Sequence, residues 1–188
     1  MKIVVLAGSI VGSKTRTAAA AAVSLLKDNY PQHDVTLLDL AEYSIQFSDG
    51  RNYFEYDGDT KLVTETIMEA DALIIGTPTF QASIPATLKN IFDLLPVNAF
   101  RDKVVSTIVT AGTPKHYLMV EQQLKPVLAY MKAHIVPTYV FIEEKDFFRK
   151  EIVNDDILFR LERLVEDTVL TAEAFEGIRQ KKDAEYDF

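Results

Sequence analysis

Residues 7–17 read AGSIVGSKTRT, a glycine-bearing stretch crowded with hydroxyls and cations. Ser9, Ser13, Thr15 and Thr17 offer hydroxyl donors, and Lys14 and Arg16 add positive charge. Between a strand and a helix, such a stretch binds anions. The first helical N–H groups lack internal partners, and the helix dipole favours negative charge there. The run GSIVGSKT is one residue away from the triphosphate-binding pattern G-x-x-x-x-G-K-[ST], with Ser13 where the second glycine belongs. Triphosphate chemistry also needs an aspartate for magnesium on another strand. Asp39, at the end of VTLLD, is the best candidate, although its strand immediately follows the loop's own helix. In a simpler reading, Ser13 or Thr15 caps the helix and the cations are solvated.

Two more stretches carry groups that suit a ligand. GTPTFQASIPATLKNIFDLL sets Pro78, the hydroxyls of Thr77 and Thr79, the aromatic Phe80 and then Ser83 ahead of a helix. The backbone from Thr79 to Gln81 can meet a flat, partly polar ring, or Phe80 can simply anchor the loop. TAGTPKHYLM offers Ala111 and Gly112, small enough for backbone to approach a ring edge, with His116 nearby. Nothing beside His116 completes a triad, and no G-x-S-x-G elbow supplies a hydrolase nucleophile.

Composition narrows the chemistry further. At 188 residues the chain suits one domain that buries roughly 70% of its unfolded surface. A net charge of −8 argues against general nucleic-acid binding, which needs a basic face to displace counterions. The lack of cysteine removes disulfides, thiolate nucleophiles and thiol–metal sites, and the three histidines are not at metal-ligand spacing. No apolar run approaches the ~20 residues that span a bilayer, and the N-terminus lacks a signal-peptide layout. A cytoplasmic location is the default expectation, with neither membrane nor nucleic acid as partner.

The elements that must position these loops follow from apolar patterning. Short β-branched runs at 3–7, 34–40, 72–77, 103–112 and 135–142 predict five strands. Helical stretches follow each of them, including an alanine-rich one closed by Pro31 and a C-terminal one over about 154–182. A kink or break is expected at Pro126, and Pro137 fits an edge strand. The segment 43–59 is the longest loop, of the sort that is functional or mobile. Repeated βα units imply an α/β protein with a parallel sheet, helices on both faces and ligands beyond the carboxyl ends of the strands. That places the chemistry at 8–17, 77–85 and 110–117.

In order along the chain, AGSIVGSKTRT, GTPTFQASIPATLKNIFDLLP and AGTPKHYLMVEQQLKPVLAYMKAH resemble the NAD(P)H-dependent FMN reductase family, through about Ile142. The resemblance implies a flavodoxin-like three-layer α/β/α fold, with a five-stranded parallel sheet of order 2-1-3-4-5. Residues 1–188 would form a single FMN-binding domain. FMN would be the cofactor, with NADPH or NADH as electron donor. The family pattern puts the FMN phosphate on Ser9, Ser13, Thr15 and Arg16, with Thr17 in the same loop. The isoalloxazine would lie against Pro78, Thr79, Phe80 and Gln81, with Ser83 close by and Ala111, Gly112 and Thr113 on its other edge. The flavin carries the chemistry, so no catalytic side chain or metal is expected. Hydride would pass from nicotinamide to flavin and then to a quinone, azo compound, free flavin or similar small acceptor.

The family also implies a homodimer or homotetramer, in keeping with apolar faces at 84–95 and 117–131. Two departures stand out. Ile10 and Val11 occupy positions where members commonly carry proline and arginine, leaving Arg16 to supply the charge. Gln122 and Gln123 stand where flavin-releasing members can carry an inserted aromatic, which points to a flavin that stays bound. The rival is a flavodoxin-like FMN electron carrier that does not oxidise NAD(P)H itself, and a phosphate-binding module without redox chemistry is a third reading.

Overall fold

Apolar, β-branched runs build the centre of the molecule. The computed structural model describes residues 1–186, with side chains through Lys182. Strands β1 (Lys2–Ala7), β2 (Asp34–Asp39), β3 (Ala72–Pro78) and β4 (Val104–Ala111) pair in parallel. β3 and β4 are buried along their whole length, which is why they read as continuous rather than alternating apolar runs. The order is β2-β1-β3-β4-β5, as expected for a flavodoxin-like sheet.

The fifth strand is divided. β5 (His134–Ile135) pairs with one end of β4 and β6 (Val140–Glu143) with the other. Pro137 lies in the gap, where its missing N–H cannot serve the ladder. After β6 comes a small antiparallel hairpin that the sequence reading did not foresee, β7 (Phe147–Phe148) and β8 (Glu151–Ile152).

Helices α1 (Lys14–Asn29) and α5 (Asp155–Tyr186) cover one face of the sheet. Ala18, Ala19 and Ala22 are fully buried, so the alanine run lets α1 lie close to the strands. Helices α2 (Gly58–Glu69), α3 (Ala86–Leu94) and α4 (Lys125–Tyr130) cover the other face around Leu73, Ile75, Leu88 and Leu128. A π turn over Val120–Leu124 precedes α4, with the Lys125 N–H bonded to the Val120 carbonyl five residues back. Pro126 follows at once, with no N–H to offer and a ring that excludes the carbonyl four residues back. The expected break therefore falls just before the proline.

The 43–59 segment is clipped down. The Asn90 side chain of α3 accepts from the Ser48 N–H and donates to the Gln46 carbonyl, both at 2.9 Å. Tyr56 is buried and its hydroxyl donates to Asp49 at 2.7 Å. Arg51 and Tyr56 together hold the Asp49 carboxyl well below the usual carboxylate range. At the opposite end of the sheet from the candidate loops, buried Lys103 caps α2. Its Nζ donates to the carbonyls of Met68 at 2.5 Å, Ala70 at 2.6 Å and Ile67 at 3.3 Å. Burial pushes this ammonium down to about 8.

Candidate functional site

At the carboxyl ends of β1 and β3 two glycines set how closely the backbone packs. The Gly8 N–H donates to the Gly76 carbonyl at 2.8 Å. A Cβ on Gly8 would lie 3.0 Å from that carbonyl oxygen, and one on Gly76 would lie 3.3 Å from Thr15 Cγ2. Their bare backbones let the first turn of α1 settle onto the strand ends. The Thr15 and Thr110 hydroxyls, both buried, then meet at 2.8 Å and join α1 to β4.

Beside this junction lies a cleft of about 320 Å³. Val11, Gly12, Lys14 and Thr15 line it from the first loop, and Pro78, Thr79 and Phe80 line it from the end of β3. Thr110, Ala111, Gly112 and the more distant Glu144 complete the wall. A larger hollow of about 610 Å³ flanks Tyr139 and Phe159. There Arg160 and Arg163 are already paired with Asp156, Glu166 and Asp167, so the smaller cleft is the better fit to an anionic ligand.

Some donors along the cleft lack protein partners. The first intrahelical bond of α1 runs from the Thr17 N–H to the Ser13 carbonyl at 2.8 Å. The amides of Lys14, Thr15 and Arg16 therefore have no carbonyl one turn back. Ser13 stands at the N-cap without a side-chain capping bond, and Thr15 is turned to Thr110, so neither hydroxyl acts as the simple cap. Thr79 donates its N–H to the Thr110 carbonyl at 2.9 Å, while its buried Oγ1 has no hydrogen-bond partner.

A tight turn presents Phe80. Phe80 and Ser83 exchange two N–H to carbonyl bonds of 2.9 Å across Gln81 and Ala82, whose φ values are +49° and +60°. Two L-residues in the left-handed region cost roughly 1–2 kcal/mol each. The bridge that holds them leaves Phe80 40% exposed at the cleft.

Of the residues expected from sequence, the cleft brings together Thr15, Pro78, Thr79, Phe80, Ala111 and Gly112. Ser13, Gln81 and Thr113 lie next to lining residues in the chain, and Ser83 is bonded through its backbone to Phe80. Ser83 Oγ is 3.4 Å from Gln123 Oε1, and Thr113 accepts from the Lys115 N–H at 3.2 Å. Ser9 is buried, donating to the Val11 carbonyl at 2.9 Å, so it shapes the loop. Thr17 donates to the Lys150 carbonyl at 3.3 Å. Arg16 turns to acids, with Nε 3.1 Å from Asp39 and Nη2 2.5 Å from Glu42. Asp39 is 2% exposed and engaged there, which leaves the triphosphate reading without its magnesium aspartate.

Thr110 and Glu144 were missed. Strand alternation from Ile108 puts Thr110 on the α1 side, so it was legible. Glu144 follows β6, and the rule that ligands sit beyond strand ends would have included that loop. Lys14, from the other side of the cleft, forms an ion pair with it.

Residues 1–147 match the family described as NADPH-dependent FMN reductase. The chain is 38% identical over 170 residues to the NAD(P)H-dependent FAD/FMN reductase of Geobacillus thermodenitrificans, covering 90% of this chain and 92% of that one. It is 29% identical over 170 residues to the NADH-dependent FMN reductase SfnF of Pseudomonas putida, covering 90% and 91%. The solved apo form of the NADH:FMN oxidoreductase EMOB aligns with a TM-score of 0.76 at 25% identity, over 90% of this chain and 89% of that one. With its sheet order and loop-built cleft, the chain belongs to the NADPH-dependent FMN reductase family.

Proposed function

We propose that the cleft holds FMN and that the chain acts, as a single FMN-binding domain, as an NAD(P)H-dependent oxidoreductase. Family membership and the two relatives support the reading. The observation that carries it is the meeting, in one cleft, of free α1 amides with the unpartnered Thr79 hydroxyl beside an exposed Phe80. An anionic group suits the first, and a flat ring with polar edges suits the second.

When bound, FMN supplies the redox chemistry between a reduced nicotinamide and a small acceptor such as a quinone, an azo compound or free flavin. The chain's own residues bind and orient. The amides of Lys14 and Thr15 and the hydroxyl of Ser13 hold the phosphate, while Ser9, Arg16 and Thr17 fix the loop that presents them. Pro78, Thr79, Phe80 and Gln81 bound the ring on one side, with Ser83 steadying their turn. Ala111, Gly112 and Thr113 bound the other side, and the space beside Gly112, where a Cβ would meet nothing within 4 Å, admits the nicotinamide. Any backbone N–H aimed at a bound ring's polar edge would favour negative charge there.

A homodimer or homotetramer goes with this reading. Val97 and Tyr130 are more than half exposed on either side of a groove of about 470 Å³ between α3 and α4. A cytoplasmic setting, where reduced nicotinamides are available, goes with it too. The test is anaerobic mixing of the FMN-loaded protein with NADPH or NADH while flavin absorbance is followed. Bleaching is expected, and its absence with both donors would leave an electron carrier instead.

A further inference from the structure

We propose that Arg149 and Lys150, at the tip of the β7–β8 hairpin, form an arm that binds a phosphate monoester at the mouth of the cleft. The proposal rests on the flavin reading above. The tip lies against α1, where the Thr17 hydroxyl meets the Lys150 carbonyl at 3.3 Å. That is the first turn of the helix, whose Lys14 and Thr15 line the cleft. Phe147 and Ile152 seat the hairpin in the core cluster under α1, and Glu144, just ahead of the hairpin, lines the cleft itself.

Charge around this helix terminus is unevenly engaged. Lys14 is paired with Glu144, and Arg16 with Asp39 and Glu42. Arg149 and Lys150 are exposed and take part in no ion pair among the described residues. In a chain of net charge −8, two adjacent unpaired cations beside an anion-binding helix terminus are the groups best able to attract a dianion. Arg149 holds its guanidinium over the Phe148 ring, 5.2 Å from the centroid, which limits the freedom it must lose on binding.

The backbone gives these residue types no reason to be there. Phe148 pairs with Glu151, so Arg149 and Lys150 are the two-residue turn, with φ values of +47° and +67°. Such a turn favours Asn-Gly over two long L-side chains. The functional account lies in the side chains. A guanidinium grips two phosphate oxygens at once, and the lysine adds a point charge. The ligand chemistry is a phosphate monoester, carried either by FMN or, as the 2′-phosphate, by NADPH.

Replacing the pair with the turn-favoured sequence, R149N/K150G, removes both charges while easing the backbone. A second variant, R149Q/K150Q, keeps side-chain length. Affinities for FMN and riboflavin are read by fluorescence titration, and KM for NADPH and NADH by steady-state assay at saturating flavin. The expected result is a loss of about tenfold or more in one phosphate preference, the scale of a lost charge-assisted contact. A fall in FMN over riboflavin assigns the arm to the flavin, and a fall in NADPH over NADH assigns it to the nicotinamide nucleotide. The proposal is overturned if a folded variant keeps both ratios, or if phosphorylated and unphosphorylated ligands weaken together. A wild-type protein that takes up no FMN refutes the flavin reading itself, before any variant is compared.

Discussion

The buried Thr15–Thr110 hydroxyl pair invites a double-mutant cycle, because it ties the α1 end of the cleft to the strand that walls its other end. Thr15 is 5% exposed and Thr110 4%, and their 2.8 Å bond is the only hydrogen bond either hydroxyl makes among the described residues. Changing one to valine keeps the shape but leaves the opposite hydroxyl buried without a partner. That desolvated group costs about 1–3 kcal/mol. The methyl that replaces the lost hydroxyl offsets about 0.8 kcal/mol of it. Each single variant, Thr15→Val or Thr110→Val, should thus lose about 0.2–2.2 kcal/mol, centred near 1. The double variant strands no hydroxyl and should lie near the wild type, giving a coupling energy of about 2 kcal/mol or more. Urea unfolding of the flavin-free protein measures all four corners, and FMN titration of the same proteins reports the cleft. Single variants that cost nothing, or a double variant whose loss equals their sum, would refute the clamp.

Further outcomes follow from three groups with uneven partnerships. Thr107 is 1% exposed and its hydroxyl has no partner, so Thr107→Val should raise unfolding stability by about 1 kcal/mol or more in the same urea assay. Lys103→Met removes the cap from three carbonyls at the end of α2 and should destabilise by about 2–3 kcal/mol at neutral pH. Burial lowers the folded Lys103 pKa to about 8 from an ordinary 10.5, so between those values the unfolded chain holds the proton and the folded one does not. Wild-type stability relative to Lys103→Met should therefore rise with pH across that window and show no dependence on this group below it, a trend that pH-resolved unfolding would reveal. Arg16→Ala should lower stability by about 1 kcal/mol, because the half-exposed guanidinium gives buried Asp39 only a screened counter-charge. FMN affinity should change by less than the ~1.5–3 kcal/mol of a direct phosphate contact, and a loss in that range by titration would put Arg16 on the phosphate.

Sequence carried the sheet well because the strands buried on both faces announce themselves as apolar runs and the alternation of strands with helices fixes a parallel order. The alanines of α1 and the loops after β1, β3 and β4 were legible for the same reason. Partner choice was not. Nothing local to Arg16 says that Asp39 and Glu42 will reach it, or that Thr17 will meet a hairpin more than a hundred residues away, since both contacts depend on tertiary placement. The division of the fifth strand also escaped, although its cause is local: Pro137 marked an edge, but not the loss of ladder around it. The 43–59 segment looked loose by composition, and part of its order comes from a side chain of α3, Asn90, which no pattern within the segment contains.

The divided fifth strand also affects how copies of this chain behave at high concentration. A long, flat edge strand exposes a continuous row of N–H and C=O groups on which another strand can grow, and chains so joined aggregate. Here the edge is two short pieces of two and four residues with Pro137 between them, so a docking strand finds no continuous register. This edge is blunted against strand-to-strand stacking without placing a charge on its buried face. Joining the two pieces by removing the proline would extend the template and cost the protein solubility before it cost any chemistry.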